Sequence, residues 1–165
     1  MDLEPDEFEQ LLRPVIVPAA RFAYGMLHDR EEAEDAVQEA ALKSWRHRGR
    51  LRCAADFRPW FLGIVANQCR TVRRGRWWTL IRLPEIERPS EERADAEFLR
   101  GADLRRTLRR LSHGQHAAVV LHFYLDLPLE EVAAALGLSV PGTKTRINRA
   151  LRRLRLALRG WEVPN

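Results

Sequence analysis

"EEVAAALGLSVPGTKTRINRALRRLRLALR", residues 130–159, opens with two acids, turns at a glycine, and then carries one lysine and six arginines with no acid. Val132, Ala133 and Leu136 make a short apolar helical face, and Leu138, Ile147 and Leu151 supply facing apolar positions beyond Gly137. This is helix-turn-helix logic. Small Ala133 lets the second helix cross closely, and Gly137 tolerates the left-handed backbone that a tight turn needs. Ser139 is placed to cap the second helix, with Pro141 in its first turn. Lys144, Thr145, Arg146 and Arg149 then project from the N-terminal half of that helix, the part that enters the major groove in this motif. Arginine there pairs bidentately with guanine, while lysine and threonine hold phosphates or base edges. Arg152, Arg153, Arg155 and Arg159 read equally well as phosphate contacts or as a solvated helix face.

The 165 residues, 45% of them hydrophobic, suffice for one ordinary domain or two small ones and predict a folded, soluble protein. The longest apolar run falls well short of the roughly 20 residues a membrane span needs, and "MDLEPDEFEQ" is acidic where a secretory signal is basic. The chain is therefore expected in the cytoplasm, with no membrane insertion. Cys53 and Cys69 lack the pairing or nearby histidines of a zinc site and read as two reduced thiols, Cys69 buried. His28, His47, His113, His116 and His122 are scattered, and neither a carboxylate constellation nor a glycine-rich phosphate loop is present. No catalytic role, metal or cofactor is expected.

Formal net charge is +5 and the sequence pI is about 10.0, which favours a polyanionic partner. Its distribution says more. Asp29, Glu31, Glu32, Glu34, Asp35 and Glu39 crowd residues 29–39 against a single Arg30, whereas residues 144–159 hold seven bases and no acid. Opposite signs at separate places imply two different partners.

Helical periodicity dominates, and no alternating run reads as a strand, so the fold class is all-α: two small helical domains joined by a linker. Residues 1–78 form the first domain, 79–98 the linker and 99–165 the second. In the first, a segment from Phe8 to Leu27 carries Pro14 and Pro18, which should bend or break it. Asp29 caps a second helix reaching Trp45, the loop "RHRGRLRCAA" follows, and a third helix begins after Asp56. "TLIRLPEIERPSEERADAEF", with two prolines and an acidic excess, is the linker.

On the second helix Ala33, Ala36, Val37, Ala40 and Ala41 make the core stripe, while Glu31, Asp35 and Gln38 fall opposite and continue into Leu42 and Trp45. That acidic patch ending in large apolar residues fits a basic protein partner, or else Leu42 and Trp45 pack within the domain. The third helix puts Phe57, Trp60, Phe61, Ile64, Val65, Cys69 and Val72 on one stripe and Asn67, Arg70 and Arg74 away from it. "RTVRRGRWW" sets arginines beside Trp77 and Trp78, an arrangement suited to a single strand whose bases stack, or to closing a core.

The chain resembles a bacterial RNA polymerase sigma factor of the sigma-70 superfamily, extracytoplasmic-function (ECF) group. "DREEAEDAVQEAALKSW" is similar to that family's region-two helix, "FRPWFLGIVANQCRTVRR" to the helix after it, and "LDLPLEEVAAALGLSVPGTKTRINRALRRLR" to region four. The resemblance covers nearly the whole chain, in the family's order and spacing. It implies docking of Asp35, Gln38 and Glu39 on the β′ clamp helices of core RNA polymerase. It also implies minus-ten recognition and melting by Asn67, Arg70, Arg73 and Arg74, with the loop from Arg46 to Ala55 holding a flipped base. Minus-thirty-five recognition then falls to Lys144, Thr145, Arg146 and Arg149, with region four touching the β flap and an anti-sigma factor as regulator. Thr71, Thr143 and Pro141-Gly142 depart from the family pattern, and Thr143 is expected to weaken the recognition-helix core slightly. The rival readings are a free-standing helix-turn-helix regulator whose first domain dimerises or senses a ligand, and an adaptor whose charged faces bind only proteins.

Overall fold

The computed structural model describes residues 3–82 and 96–157, with side chains described except over residues 77–82, 96–100, 102 and 103. Every regular element among them is helical: α1 (Pro5–Leu27), α2 (Arg30–Arg46), α3 (Phe57–Arg82), α4 (Ala96–Arg109), α5 (His113–Val119), α6 (Leu129–Leu136) and α7 (Val140–Ala157). The all-α expectation holds.

A capping box between Glu4 and Glu7 starts α1, which then runs unbroken through Pro14 and Pro18. Each proline removes one backbone bond. The adjoining Val15, Ala19 and Phe22 are buried where α1 packs on α2 and α3, and that burial outweighs the loss. Asp29 accepts from the Glu32 amide at 2.9 Å and so starts α2. Ala33, Ala36, Val37 and Ala40 are buried and Ala41 half-buried, as the wheel predicts. Small side chains on α2 let it lie close to the aromatic centre. There Phe8 meets Trp45 and Phe57 edge to face at 5.2 and 5.6 Å, and Phe57 stacks on Phe61 at 5.8 Å.

The arginine-rich loop winds through two short 3₁₀ turns, Arg48–Arg50 and Ala54–Asp56. Arg48 lies 3.8 Å over the Trp45 ring and donates to the Leu3 and Trp45 carbonyls, so this arginine is committed to the fold. Helix enters the expected linker 79–98 from both sides, through Arg82 and from Ala96. The remainder of that linker, the Trp77 and Trp78 side chains, and Arg159 lie outside the described residues.

In the second module Ser112 and Gln115 form a capping box on α5, which passes directly into a wider π-helical turn, Val120–Tyr124. Then comes the helix-turn-helix. Gly137 takes φ 65°, the Leu138 amide bonds back to Ala133 at 2.9 Å, and Ser139 Oγ accepts from the Gly142 amide at 3.1 Å. Thr143 is fully buried, and its hydroxyl donates to the Ser139 carbonyl at 2.9 Å, so the polar atom sits in the turn without a desolvation debt.

The two modules press against each other. One hydrophobic core runs from Phe8, Phe22 and Phe61 of the first to Leu121, Val132 and Ile147 of the second. Helix α6 lies on α3 so closely that a Cβ at Gly63 would stand 2.5 Å from the Ala135 carbonyl oxygen. At the rim Arg58 grips both carboxylate oxygens of Glu131, Nε to Oε2 at 2.8 Å. Among the described residues no helix is long and apolar enough to cross a membrane.

Candidate nucleic-acid interface

Helix α7 owes its direction to Ile147, Ala150 and Leu154, buried beneath it, so its other sides are free to carry charge. Lys144, Thr145 and Arg149 are exposed, as are Arg152, Arg153 and Arg155. Arg146 is half-buried and lies over Gly114 of α5, where a Cβ would require its guanidinium to shift. The Thr145 hydroxyl donates to the Pro141 carbonyl at 3.1 Å.

On α3, Asn67, Arg70 and Arg74 are exposed and Arg73 is half-buried. Arg70 lines one groove of about 600 Å³ with Arg146 and Arg149, so basic groups that sequence sets far apart converge where the modules meet. On α2, Asp35 and Gln38 are exposed, and Glu39 is half-buried 3.8 Å from the Lys43 ammonium. The two readings of Leu42 and Trp45 divide. Trp45 is half-buried against Phe8, while Leu42 is 53% exposed; both line an apolar cleft with Gln38, Ala41, Phe8 and Pro5.

A cluster unread from the sequence lies beneath the basic groove. Three of the scattered histidines meet there: His28 stacks on His116 at 6.1 Å, and Arg73 donates to Nδ1 of both His113 and His116 at 3.3 and 3.4 Å. The opposite ring nitrogens reach carbonyls of the first module, His113 to Ala66 at 3.0 Å and His116 to Gly25 at 3.1 Å. Carbonyls only accept and guanidinium only donates, so both rings are neutral with the proton on Nε2. The spacing of His113 and His116 in "HGQH", three apart on one helix face, is the signal that was available.

Burial, then the charges of neighbouring arginines, Arg109 first for His28 and Arg73 for the other two, lowers all three pKa values from 6.5. His28 and His113 fall to about 4 and His116 to about 3. Between pH 6.5 and 4 the unfolded chain therefore binds protons that the folded chain refuses, and stability declines as pH falls through that window. His116 alone removes about 2 kcal/mol at pH 5 relative to pH 7.5, with the others acting in the same direction. Urea midpoints at the two pH values measure this, and His116→Gln should flatten the difference. Cys69 is buried with its thiol pushed up to about 12, and Cys53 is exposed; both are free.

The family model described as Sigma-70 region 2 matches residues 8–79, and that described as Sigma-70, region 4 matches residues 102–154. The RNA polymerase sigma-E factor of Streptomyces antibioticus is 31% identical over 161 residues, covering 90% of this chain and 83% of that protein. ECF RNA polymerase sigma factor SigL of Mycobacterium tuberculosis is 30% identical over 146 residues, covering 84% and 81%. Among solved structures, CnrH in complex with the cytosolic domain of CnrY superposes with a TM-score of 0.70 at 25% identity, over 96% of this chain and 92% of that one. The fold also matches the sigma factor RpoE of Bartonella quintana, solved with the anti-sigma factor NepR, at a TM-score of 0.67 and 24% identity over 93% and 98% of the two chains. The chain belongs to the sigma-70 family of RNA polymerase sigma factors, in its extracytoplasmic-function group.

Proposed function

We propose that this chain is a promoter-specificity subunit that directs core RNA polymerase to promoters with two separated elements. The carrying observation is that one compact chain presents an acidic α2 face ending in exposed Leu42 and a basic α7 face built on a helix-turn-helix. Asp35, Gln38 and Glu39, with Leu42, dock on the β′ clamp helices, where apolar contact beside opposite charge supplies affinity and orientation. Asn67, Arg70, Arg73 and Arg74 capture the minus-ten strand, and trapping unstacked bases drives melting. Lys144, Thr145, Arg146 and Arg149 read the minus-thirty-five duplex in the major groove, and the same module touches the β flap.

Two weak sites held at fixed separation on one polymerase gain affinity through effective concentration. The mechanism asks no bond-making chemistry of the chain, and it places the protein with polymerase in the cytoplasm. The anti-sigma factor solved with RpoE of Bartonella quintana supports a regulator of the same kind here.

In vitro transcription with core polymerase on a library of genomic fragments tests the reading. Discrete starts that core alone does not make, each preceded by two shared elements, are the expected result. If core gains nothing while the protein alone retains particular duplexes, the free-standing regulator is correct instead.

A further inference from the structure

One groove of the molecule gathers cations without anions. Arg70 of α3 and Arg146 and Arg149 of α7 line it, and none of its lining residues is acidic. Other arginines are committed to the fold: Arg48 bonds carbonyls, Arg58 grips Glu131, and Arg73 donates to two imidazoles. Arg70, Arg146 and Arg149 make no hydrogen bond or ion pair among the described residues. Gln115, on the same wall, has its Oε1 occupied by the Ser112 amide and by Arg153, both at 3.3 Å, so the hydrogens on its Nε2 remain to be donated. A groove of about 600 Å³ with this surplus of positive charge and donors suits a compact, multiply charged acceptor, and a chain of phosphates is such a group.

The groove continues past its arginines. Arg70, Arg146 and Gly114 also border a second cavity, of about 350 Å³, whose walls are Trp60 and Ile64 of α3 and the end of α6 from Ala134 to Leu136. The Asn67 amide stands among these apolar walls. Aromatic and aliphatic surface beside one amide fits a flat heterocycle, which stacks by its face and offers donors and acceptors at its edge. Gly114 belongs to both linings, and a side chain there would crowd the Arg146 guanidinium at the passage between them. From this arrangement we infer that groove and cavity together bind a nucleoside polyphosphate, its phosphates among Arg70, Arg146 and Arg149 and its base against Trp60. Binding requires only this geometry. Its consequence, that nucleotide and promoter compete for the same three guanidinium groups, rests on the promoter reading.

Calorimetric titration of the full chain, without magnesium, with ATP, adenosine and inorganic triphosphate tests the site. A single ATP should bind, about tenfold more tightly than either fragment, because phosphates and base are held at once. Inorganic triphosphate carries at least the charge of ATP, so attraction by charge alone predicts no such preference. Arg70→Gln with Arg149→Gln should weaken ATP at least about tenfold, whereas Arg152→Gln with Arg155→Gln, which removes the same charge elsewhere on α7, should leave it unchanged. Ala134 is exposed on the cavity wall, and Ala134→Phe should reduce ATP to the affinity of inorganic triphosphate while the chain stays folded. No saturable binding, an equal loss in the two arginine pairs, or triphosphate bound as tightly as ATP overturns the proposal. Promoter complexes formed with core polymerase on genomic fragments test the competition: ATP added beforehand should lower them for wild type and spare Ala134→Phe. An equal response of the two proteins overturns the competition. If neither forms promoter complexes, the promoter reading fails and the calorimetry alone decides the site.

Discussion

Arg146→Glu combined with Arg149→Glu abolishes promoter-directed starts while leaving the protein folded. A bidentate arginine–guanine pair contributes about 1–3 kcal/mol of discrimination, and reversal adds repulsion from neighbouring phosphates. Two such changes remove on the order of 10² to 10³ in promoter affinity. Because the promoter is held at two places, the loss extends to the minus-ten side, which no longer profits from a tethered neighbour. Neither side chain supports the core: Arg149 is exposed, and Arg146 lies over a glycine on the surface of α5. Thermal unfolding should therefore stay within about 0.5 kcal/mol of wild type.

The salt dependence of DNA retention separates contact types. Each lost phosphate contact should lower the slope of log K against log salt by about 0.9, whereas a lost base contact changes sequence preference more than slope. Arg152→Glu with Arg155→Glu, six residues further along α7, should lower the slope without moving the starts. Unchanged starts with Arg146→Glu/Arg149→Glu would remove α7 from the role of minus-thirty-five reader.

What the sequence made legible is what depends on neighbours in the chain. Gly137 at positive φ, Ser139 as a cap, Asp29 as a cap and the alanine stripe of α2 all follow from local geometry and 3.6-residue periodicity. Leu62 and Ala66 on α3 are buried outside the aromatic stripe. What packs on that side of α3 is α6, more than sixty residues away, and one-sided periodicity has no way to announce a second covered face. Gly63 reads as a weak point in a helix until the Ala135 carbonyl is seen against it. His28 and His116 look unrelated for the same reason, and the burial that assembles them also keeps them neutral. The unbroken course of α1 through two prolines is the reverse case, where a strong local rule yields to tertiary packing. Nothing local distinguished Leu42 from Trp45 either, since both continue one side of α2; the position of Phe8 decides which turns inward.

Phe61→Ala and the pair Asp35→Arg with Leu42→Ala should both lower polymerase-dependent activity, by routes that a melting curve tells apart. Phe61 is fully buried and stacked nearly parallel on Phe57, so truncation forfeits its apolar burial and leaves a cavity between helices already closely set. The cost is about 3–5 kcal/mol, against a total stability of about 5–15 kcal/mol for a domain. At the low end of that range about half the chains are unfolded, so transcription declines with the folded fraction, and lowering the temperature should restore part of it. Asp35 and Leu42 are exposed and close no cavity, and an arginine at position 35 lies four residues from both Glu31 and Glu39 on the same helix, which favours the fold. Melting should therefore stay at the wild-type temperature while binding to core polymerase weakens at least about tenfold, the loss of an apolar anchor and a complementary charge together. If this variant bound core polymerase as wild type does, the acidic face of α2 would not be the docking surface, and the cleft beside Leu42 would have to be explained by some other contact. If it melted early, Leu42 would contribute to the fold of the free chain despite its exposure, and the loss of binding would not by itself identify the docking surface.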